Sequence, residues 1–242
     1  MTKIGILGLS DPVTSSLQGL LTTLQGYDVT VDSALYKARN PKERSVTWNN
    51  WMKDGSYDYI FDVSGGDLSI ETVKYLDFSL YRNNKTLFFG YSDLTPVLNI
   101  LAGEKKTGLF QIRGNTNIED IHHFLEGEDN SLFFEGEYIG GNIRCLLKLA
   151  GTSYFPNVSG KHLFLESYSG KENRIRSYFS QLELMGVFKR VTAVTLGQFT
   201  ELDQTDSDFL EIWSKSQSFP VYRNKEVGHS KDSKGIWICD TL

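Results

Sequence analysis

The sequence predicts an α/β protein with a parallel sheet in its first half and a mixed α+β second half. The first observation behind this is an alternation, up to residue 102, of short β-type runs with stretches of helical apolar spacing. Strands joined by helical crossovers pair in parallel. The second observation is a change of pattern near residue 110, where a polar stretch leads into more local extended runs.

Each element of the first half follows from its spacing. Leucines at 17, 20, 21 and 24 predict a helix over residues 13–25. Pro41 opens a second helix, residues 68–80 form a third, and an apolar helix ends at Ala102. The predicted strands between them are residues 3–9, 27–31, 57–63 and 86–89.

The second half has shorter extended runs and two or three helices. Strands are predicted at 132–138, 161–165 and 191–199, and helices at 141–149, 174–186 and 201–213. The polar stretch 114–129 has no sustained period and is interpreted as a linker. We therefore predict an N-terminal α/β domain over residues 1–115, a linker over 116–130 and a C-terminal domain over 131–242.

Composition excludes several classes of protein. The chain has 242 residues, of which 40% are hydrophobic and 23% charged, which is typical of a globular protein. Its net charge of −5 gives no electrostatic reason to expect nucleic acid or an anionic membrane as a partner. Two cysteines exclude a disulfide framework. No apolar run is long enough to span a membrane, and the N-terminus lacks the features of a signal peptide, so we expect a soluble, cytoplasmic protein.

Two turns that follow predicted strands are candidate sites for chemistry, because functional groups gather at the carboxyl ends of parallel strands. They are Ser64-Gly65-Gly66-Asp67 and Gly90-Tyr91-Ser92-Asp93. A serine on a sharp strand-to-helix turn exposes its hydroxyl near backbone N–H groups that can stabilise an oxyanion. Alternatively, Ser92 or Thr95 only caps the following helix, for which Thr95-Pro96 is a favourable pair.

A serine nucleophile needs a base, and the chain has four histidines. His122 and His123 lie in the polar stretch, where solvation is expected, and His162 begins a strand. His229 lies in a polar loop, where a histidine is often only a surface residue. Glu166 ends an apolar strand, either with a partner or because the strand has reached solvent; periodicity leaves these alternatives open.

Signals for a cofactor or metal are weak. Gly5-Ile6-Leu7-Gly8 follows a strand, but the G-x-G-x-x-G pattern is absent, and no Walker A sequence occurs. A nucleotide-binding protein would need such a phosphate-binding loop. No His, Cys and Asp spacing suggests zinc, and Cys145 is interpreted as a core residue. We predict neither a cofactor nor a metal.

Several short segments form an ordered set over nearly the whole chain. They are Glu43-Arg44, Ser64-Gly65-Gly66, the run YLDFSLYRNNKTLFFGYSDLTPVLN at 75–99, Gly140-Gly141-Asn142, LAGTSYFP at 149–156, LFLE at 163–166, Arg174 in its helix, Leu196-Gly197-Gln198-Phe199, Phe219-Pro220-Val221 and Gly228-His229. In this order the segments resemble the LD-carboxypeptidase and microcin C immunity serine peptidases.

The resemblance implies a triad of Ser92 as nucleophile, Glu166 as orienting carboxylate and His229 as general base. It implies backbone oxyanion donors at Asp93 and Gly66. It also implies a flavodoxin-like N-terminal domain, a smaller C-terminal domain with a barrel-like sheet, and a homodimer without metal or cofactor.

The implied function is a serine-type carboxypeptidase of peptidoglycan recycling that cleaves muropeptide tails, or a microcin immunity hydrolase of a peptidyl-nucleotide. The substrate is a small peptide or a peptidyl-nucleotide in either case. This chain departs from the family pattern at Ser64, where arginine is common, and at Arg113-Gly114-Asn115, where H-G-P is common. The segment before Gly140 is also short. The alternative hypothesis is therefore a catalytically silent binding protein of the same fold.

Overall fold

Ten strands form one mostly parallel sheet in the computed structural model, which describes residues 1–128 and 131–240. The strands are β1 (Lys3–Leu7), β2 (Asp28–Val31), β3 (Tyr59–Asp62), β4 (Leu87–Gly90), β5 (Thr107–Leu109), β6 (Phe133–Asn142), β7 (His162–Ser167), β8 (Ala193–Phe199), β9 (Val221–Arg223) and β10 (Gly235–Ile238). The α/β class predicted from the sequence is confirmed.

The helices include four that flank the first five strands: α1 (Gln18–Thr23), α2 (Pro41–Asp54), α3 (Ser69–Thr72) and α4 (Ser79–Arg82). The others are α5 (Thr95–Ala102), α6 (Ile118–Glu126), α7 (Ile143–Leu146), α8 (Glu172–Leu184) and α9 (Phe209–Lys215), with short 3₁₀ turns at Val73–Tyr75, Ser92–Leu94 and Leu147–Leu149. None of the helices within the described residues combines the length and apolar character needed to cross a bilayer.

The strand order is β2-β1-β3-β4-β5-β10-β6-β7-β8-β9. The first five strands are parallel in the flavodoxin-like order, as expected. β10 lies antiparallel to β5 and parallel to β6, so the strands of the second half run opposite to those of the first. The strands of the described residues do not close into a barrel, because β6–β9 extend the same sheet in a linear order through β10.

Alternating side chains of the central strands bury both faces of the sheet. Ile60 and Phe88 pack into one core with Trp48 of α2. Phe61 and Phe89 point to the other face and pack into a second core. A third core lies between the strands and helices of the second half.

The polar stretch before β6 contains a helix that the sequence analysis missed. α6 lies within the predicted linker, and its Ile121, Phe124 and Leu125 are buried in the second core. These three apolar residues span little more than one helical turn among polar neighbours, which is too short to give a detectable helical period. Residues 129–130 of the predicted linker lie outside the described residues, and the domain boundaries stay a prediction.

The helix predicted over residues 68–80 is interrupted. Leu76 adopts an extended backbone, with ψ 132°. Asn49 of α2 compensates for the break, since its amide donates to Tyr75 O (2.9 Å) and accepts from Asp77 N (3.0 Å). The predicted helix at 201–213 is likewise reduced to α9, and β5, β9 and β10 were not predicted.

β6 joins the two halves of the molecule. Its first part pairs with β10, whereas residues 139–142 pair with β7. Gly140 and Gly141 have φ 103° and 136°, which L side chains rarely adopt. The Asn99 side chain of α5 accepts from Gly140 N and donates to Gly140 O, both at 2.8 Å. The glycines therefore let β6 change partners while it packs against α5.

Candidate active site

Ser92 lies in the turn that follows β4, at the carboxyl edge of the first five strands. Its φ is 52°, and it is the one non-glycine residue with positive φ among the described residues. A Cβ on Gly90 would lie 2.8 Å from Leu94 Cβ, so the turn needs a glycine there. Left-handed backbone at a serine between a strand and a helix is the geometry of a nucleophile elbow.

The alternative in which Thr95 caps the following helix is not what the structure shows, because Leu94 occupies the N-cap position. The 3₁₀ turn Ser92–Leu94 runs directly into α5, so Thr95 already has helical angles of φ −46° and ψ −45°. Its hydroxyl donates to Ser92 O (2.7 Å) and accepts from Asn142 N (3.0 Å). Thr95 therefore ties the Ser92 turn to the end of β6.

Glu166 and His229 form the central pair of the site. Glu166 is completely buried in β7, and its Oε2 lies 2.9 Å from His229 Nδ1. Asn142 Nδ2 donates to the other carboxylate oxygen at 2.9 Å. The Tyr91 ring packs edge-on against the imidazole with ring centroids 4.7 Å apart, and burial together with the Glu166 charge raises the pKa of Tyr91 well above its ordinary value.

The loop that carries His229 is held by Gln198 at the end of β8. The Gln198 amide donates to Lys225 O (2.7 Å) and Ser230 Oγ (2.8 Å), and its carbonyl accepts from Ser230 N (3.0 Å). A Cβ on Gly197 would lie 2.7 Å from Val227 O, and one on Gly228 would lie 2.3 Å from Gln198 Cβ. The two glycines thus permit the close approach that aims His229 at Glu166.

The other three histidines lie away from this pair. His122 Nδ1 is 3.0 Å from the Tyr27 hydroxyl, and His123 lies 3.8 Å from Glu128. His162 Nε2 is 2.8 Å from Thr195 Oγ1. Of the four, His229 is the one that lines the cavity containing Ser92.

Gly66 lies in the turn after β3, opposite the Ser92 turn. Its φ is 111°, and a Cβ there would lie 1.7 Å from Asp11 Oδ2. The same Asp11 oxygen accepts from Asp67 N at 2.7 Å. Within the described residues the Gly66 N–H donates to no protein group, so it is available to a ligand.

A buried carboxylate supports the floor of the site. Asp62 Oδ2 accepts from Leu9 N (2.7 Å), and Oδ1 accepts from Ser64 N (2.8 Å) and Ser64 Oγ (2.6 Å). Burial raises the pKa of Asp62 to about 6, although these bonds favour the ionised form. Ser64 Oγ also accepts from Ser10 N (3.0 Å), so the residue that departs from the family pattern joins the turns after β1 and β3.

A cavity of about 320 Å³ opens between these turns and the His229 loop. Ser92, His229 and Gly66 line it, together with Arg113, Arg144 and Tyr168. It lies at the carboxyl edge of β3 and β4, where ligands bind in sheets of this order. Within the described part of the chain, no group of three or more His, Cys, Asp or Glu side chains could hold a metal ion.

The sequence analysis missed several residues of the site. Asn142 and Gln198 appear in the sequence analysis only as members of motifs, without a role of their own. In the structure Asn142 donates to Glu166, and Gln198 holds the His229 loop. Tyr91 and Tyr168 pack on the imidazole with no spacing signal to mark them. Arg144 sits on α7, where it donates to Gly66 O (3.2 Å) and pairs with Asp67.

Comparison with known proteins identifies two family domains. Residues 4–114 match the LD-carboxypeptidase N-terminal domain, and residues 135–239 match the LD-carboxypeptidase C-terminal domain. A Bacillus subtilis (strain 168) protein described as "Probable murein peptide carboxypeptidase" is 24% identical over 84% of this chain and 73% of its own.

Two solved structures have a similar fold. The muramoyltetrapeptide carboxypeptidase from Oxalobacter formigenes is 25% identical with a TM-score of 0.81, over 98% of this chain and 92% of its own. The microcin C7 self-immunity protein MccF in complex with aspartyl sulfamoyl adenosine is 19% identical with a TM-score of 0.80, over 98% and 96%. Because the two family domains together cover most of the sequence, the chain belongs to the LD-carboxypeptidase family.

Proposed function

We propose that the protein is a serine-type carboxypeptidase in which Ser92, His229 and Glu166 act as a triad. The observation that carries this proposal is the buried Glu166 carboxylate 2.9 Å from His229 Nδ1, with His229 facing the cavity that holds the Ser92 elbow. A buried carboxylate beside one imidazole nitrogen leaves the other nitrogen free to accept a proton from serine. Membership of the family supports the same reaction.

In the proposed reaction, Ser92 Oγ attacks the carbonyl carbon of a peptide-like amide while its proton passes to His229 Nε2. The tetrahedral intermediate collapses, the C–N bond breaks, and the imidazolium gives its proton to the leaving amine. Water then attacks the acyl-enzyme with His229 again as base, which regenerates Ser92. The N–H groups of Gly66 and Asp93 are the proposed donors to the oxyanion.

The proposed substrate has an anionic group beside the scissile amide. Arg113 lines the cavity and donates to Ser15 Oγ at 3.3 Å, and within the described residues it forms no ion pair. Its guanidinium can therefore bind a carboxylate through paired N–H groups, as the terminus of a carboxypeptidase substrate requires. Arg144 is already paired with Asp67.

Two substrate classes satisfy this requirement. A muropeptide tail ends in a free carboxylate beyond an amide between an L-centre and a D-amino acid, and cleavage there would serve peptidoglycan recycling. A peptidyl-nucleotide of the microcin C type is the second class, supported by the complex described for MccF. A cytoplasmic homodimer stays part of the proposal.

The test is incubation of the purified protein with a muropeptide tetrapeptide and, separately, with a peptidyl-adenylate mimic, followed by mass spectrometry. Ser92→Ala is compared with Ser177→Ala, which removes an exposed hydroxyl on α8. We expect loss of a terminal D-alanine, or release of the nucleotide part, with wild type and Ser177→Ala but not with Ser92→Ala. Folded wild type that cleaves neither substrate would favour a silent binding protein.

A further inference from the structure

Lys148 lies beneath the two turns that line the candidate active site. It follows α7, in the 3₁₀ turn Leu147–Leu149. Its Nζ donates to Asp93 Oδ1 (2.5 Å), to Asp67 O (3.0 Å) and to Asp67 Oδ1 (3.2 Å). Asp93 follows Ser92, and Asp67 follows Gly66, so one ammonium group contacts the neighbours of both residues that face the cavity.

The Asp93 carboxylate is held in place by several hydrogen bonds. It is completely buried, and Oδ2 accepts from Ser10 Oγ (2.5 Å) and Ser69 N (2.9 Å). Ser10 Oγ in turn accepts from Leu68 N (3.2 Å). The carboxylate thereby connects the turns after β1, β3 and β4.

Lys148 supplies the positive charge that this buried carboxylate needs. The Lys148 side chain is 19% exposed, and among the described residues it makes the one ion pair of Asp93. Burial acts to lower the pKa of Lys148, but the hydrogen bond and charge of Asp93, together with Cys145 and the hydrogen bond to Asp67, hold that pKa above its ordinary value. The ammonium group is therefore charged at neutral pH.

We propose that Lys148 is a positioning residue that fixes the distance between the Gly66 and Asp93 amides, the two oxyanion donors. This inference rests on the proposed function. Oxyanion donors act only when both N–H groups lie about 2.7–3.1 Å from the developing charge and need no reorganisation. The two amides lie on separate turns, and the Lys148 ammonium contacts the residue at or next to each of them.

The positioning role predicts a loss that is specific to the transition state. We expect Lys148→Met to lower kcat about 10–100-fold while KM changes by less than about threefold. The affinity for a peptide boronic acid, which forms a tetrahedral adduct with Ser92, should fall by the same factor as kcat. The affinity for the cleavage product should not change.

Lys148→Arg and Lys189→Met complete the experiment. Lys189 is exposed and lies outside the site, so its variant controls for loss of a lysine. Lys148→Arg keeps the charge but not the shape of the ammonium group, so we expect wild-type stability with only partial recovery of kcat. If Lys148→Met fails to fold, Lys148→Arg carries the test.

Three outcomes are decisive. Wild-type kcat and boronate affinity in folded Lys148→Met would overturn the inference and leave the proposed function intact. A folded Lys148→Arg with wild-type kcat, beside an unfolded Lys148→Met, would show that Lys148 only neutralises the Asp93 charge, and would overturn the positioning role. Wild-type protein that cleaves no amide, or cleaves equally well as Ser92→Ala, would overturn the proposed function and this inference with it.

Discussion

Replacing Glu166 by glutamine is the most specific perturbation of the proposed triad. The amide has the size of the carboxylate, so the packing around this completely buried side chain is preserved. Its carbonyl oxygen can keep the bond from Asn142 Nδ2, which is 2.9 Å in the wild type. The NH₂ group then takes the position of Oε2, 2.9 Å from His229 Nδ1.

Two N–H donors cannot face each other at that distance. His229 therefore adopts the tautomer whose Nδ1 accepts from the glutamine, and its proton moves to Nε2. An imidazole protonated at Nε2 cannot accept the proton of Ser92. The corresponding carboxylate-to-amide change in a serine-protease triad lowers kcat about 10⁴-fold, or about 5 kcal/mol of barrier, and we expect about 10³–10⁴-fold here.

The assay is kcat/KM on the substrate identified by mass spectrometry, together with the rate at which a fluorophosphonate labels Ser92. Glu183→Gln, which changes an exposed residue of α8, is the matched control. Thermal unfolding establishes that both variants fold. Glu166→Gln protein that folds and keeps more than about a tenth of wild-type kcat/KM would refute the tautomer argument and the role of Glu166.

Three further predictions concern the surroundings of the triad. Gly66→Ala places a Cβ 1.7 Å from the Asp11 carboxylate at φ 111°, so urea denaturation should show a loss of at least about 2 kcal/mol. Gly65→Ala, whose Cβ meets nothing within 4 Å, should cost far less, and equal losses would contradict the reasoning. Burial raises the pKa of Asp62 to about 6, so the folded state binds a proton that the unfolded state has already lost. The free energy of unfolding should therefore lose ~3 kcal/mol from this group as pH rises from about 3 to 7, and this contribution should be missing from Asp62→Asn. Gln198→Ala frees the His229 loop and should lower kcat/KM about 10–100-fold with a stability loss of about 1–2 kcal/mol; unchanged kinetics would show that the loop is held by other contacts.

The parts of the fold that follow from local pattern were predictable from the sequence. Strands such as β3 and β4 are buried apolar runs closed by glycine turns, so their existence and parallel pairing could be inferred. Three-residue strands such as β5 and β9 have no period to detect. β10 pairs with β5 and β6, which lie more than 90 residues away, and no local signal reports such a pairing.

Prediction of the site depended on its motifs more than on spacing. Spacing alone left open which of the four histidines is the base. It also left open whether Ser92 is a nucleophile or only caps the following helix. The resemblance selected His229 and Glu166, and the 2.9 Å contact between them agrees with that choice. Lys148 and Asn142 were missed because their roles arise from contacts between turns far apart in the chain.

β6 carries two glycines and an asparagine in succession where it leaves β10 and pairs with β7. β10 runs antiparallel to β5 and parallel to β6, so in a flat sheet the carboxyl ends of β4 and β7 would lie at opposite edges. A histidine paired with Glu166 near the end of β7 could not then line the cavity that holds Ser92. Gly140 and Gly141 let β6 approach α5, where a Cβ on Gly141 would lie 2.8 Å from Thr95 Oγ1.

Thr95 and Asn142 also connect Ser92 to Glu166. Thr95 Oγ1 accepts from Asn142 N and donates to Ser92 O, while the Asn142 side chain donates to Glu166. One short chain of hydrogen bonds therefore leads from the Ser92 turn to the Glu166 carboxylate, across the junction of the two halves. Gly141→Ala would push its Cβ against Thr95, and we therefore expect it to lower kcat/KM by separating the Ser92 turn from Glu166; unchanged kcat/KM in a folded variant would contradict this.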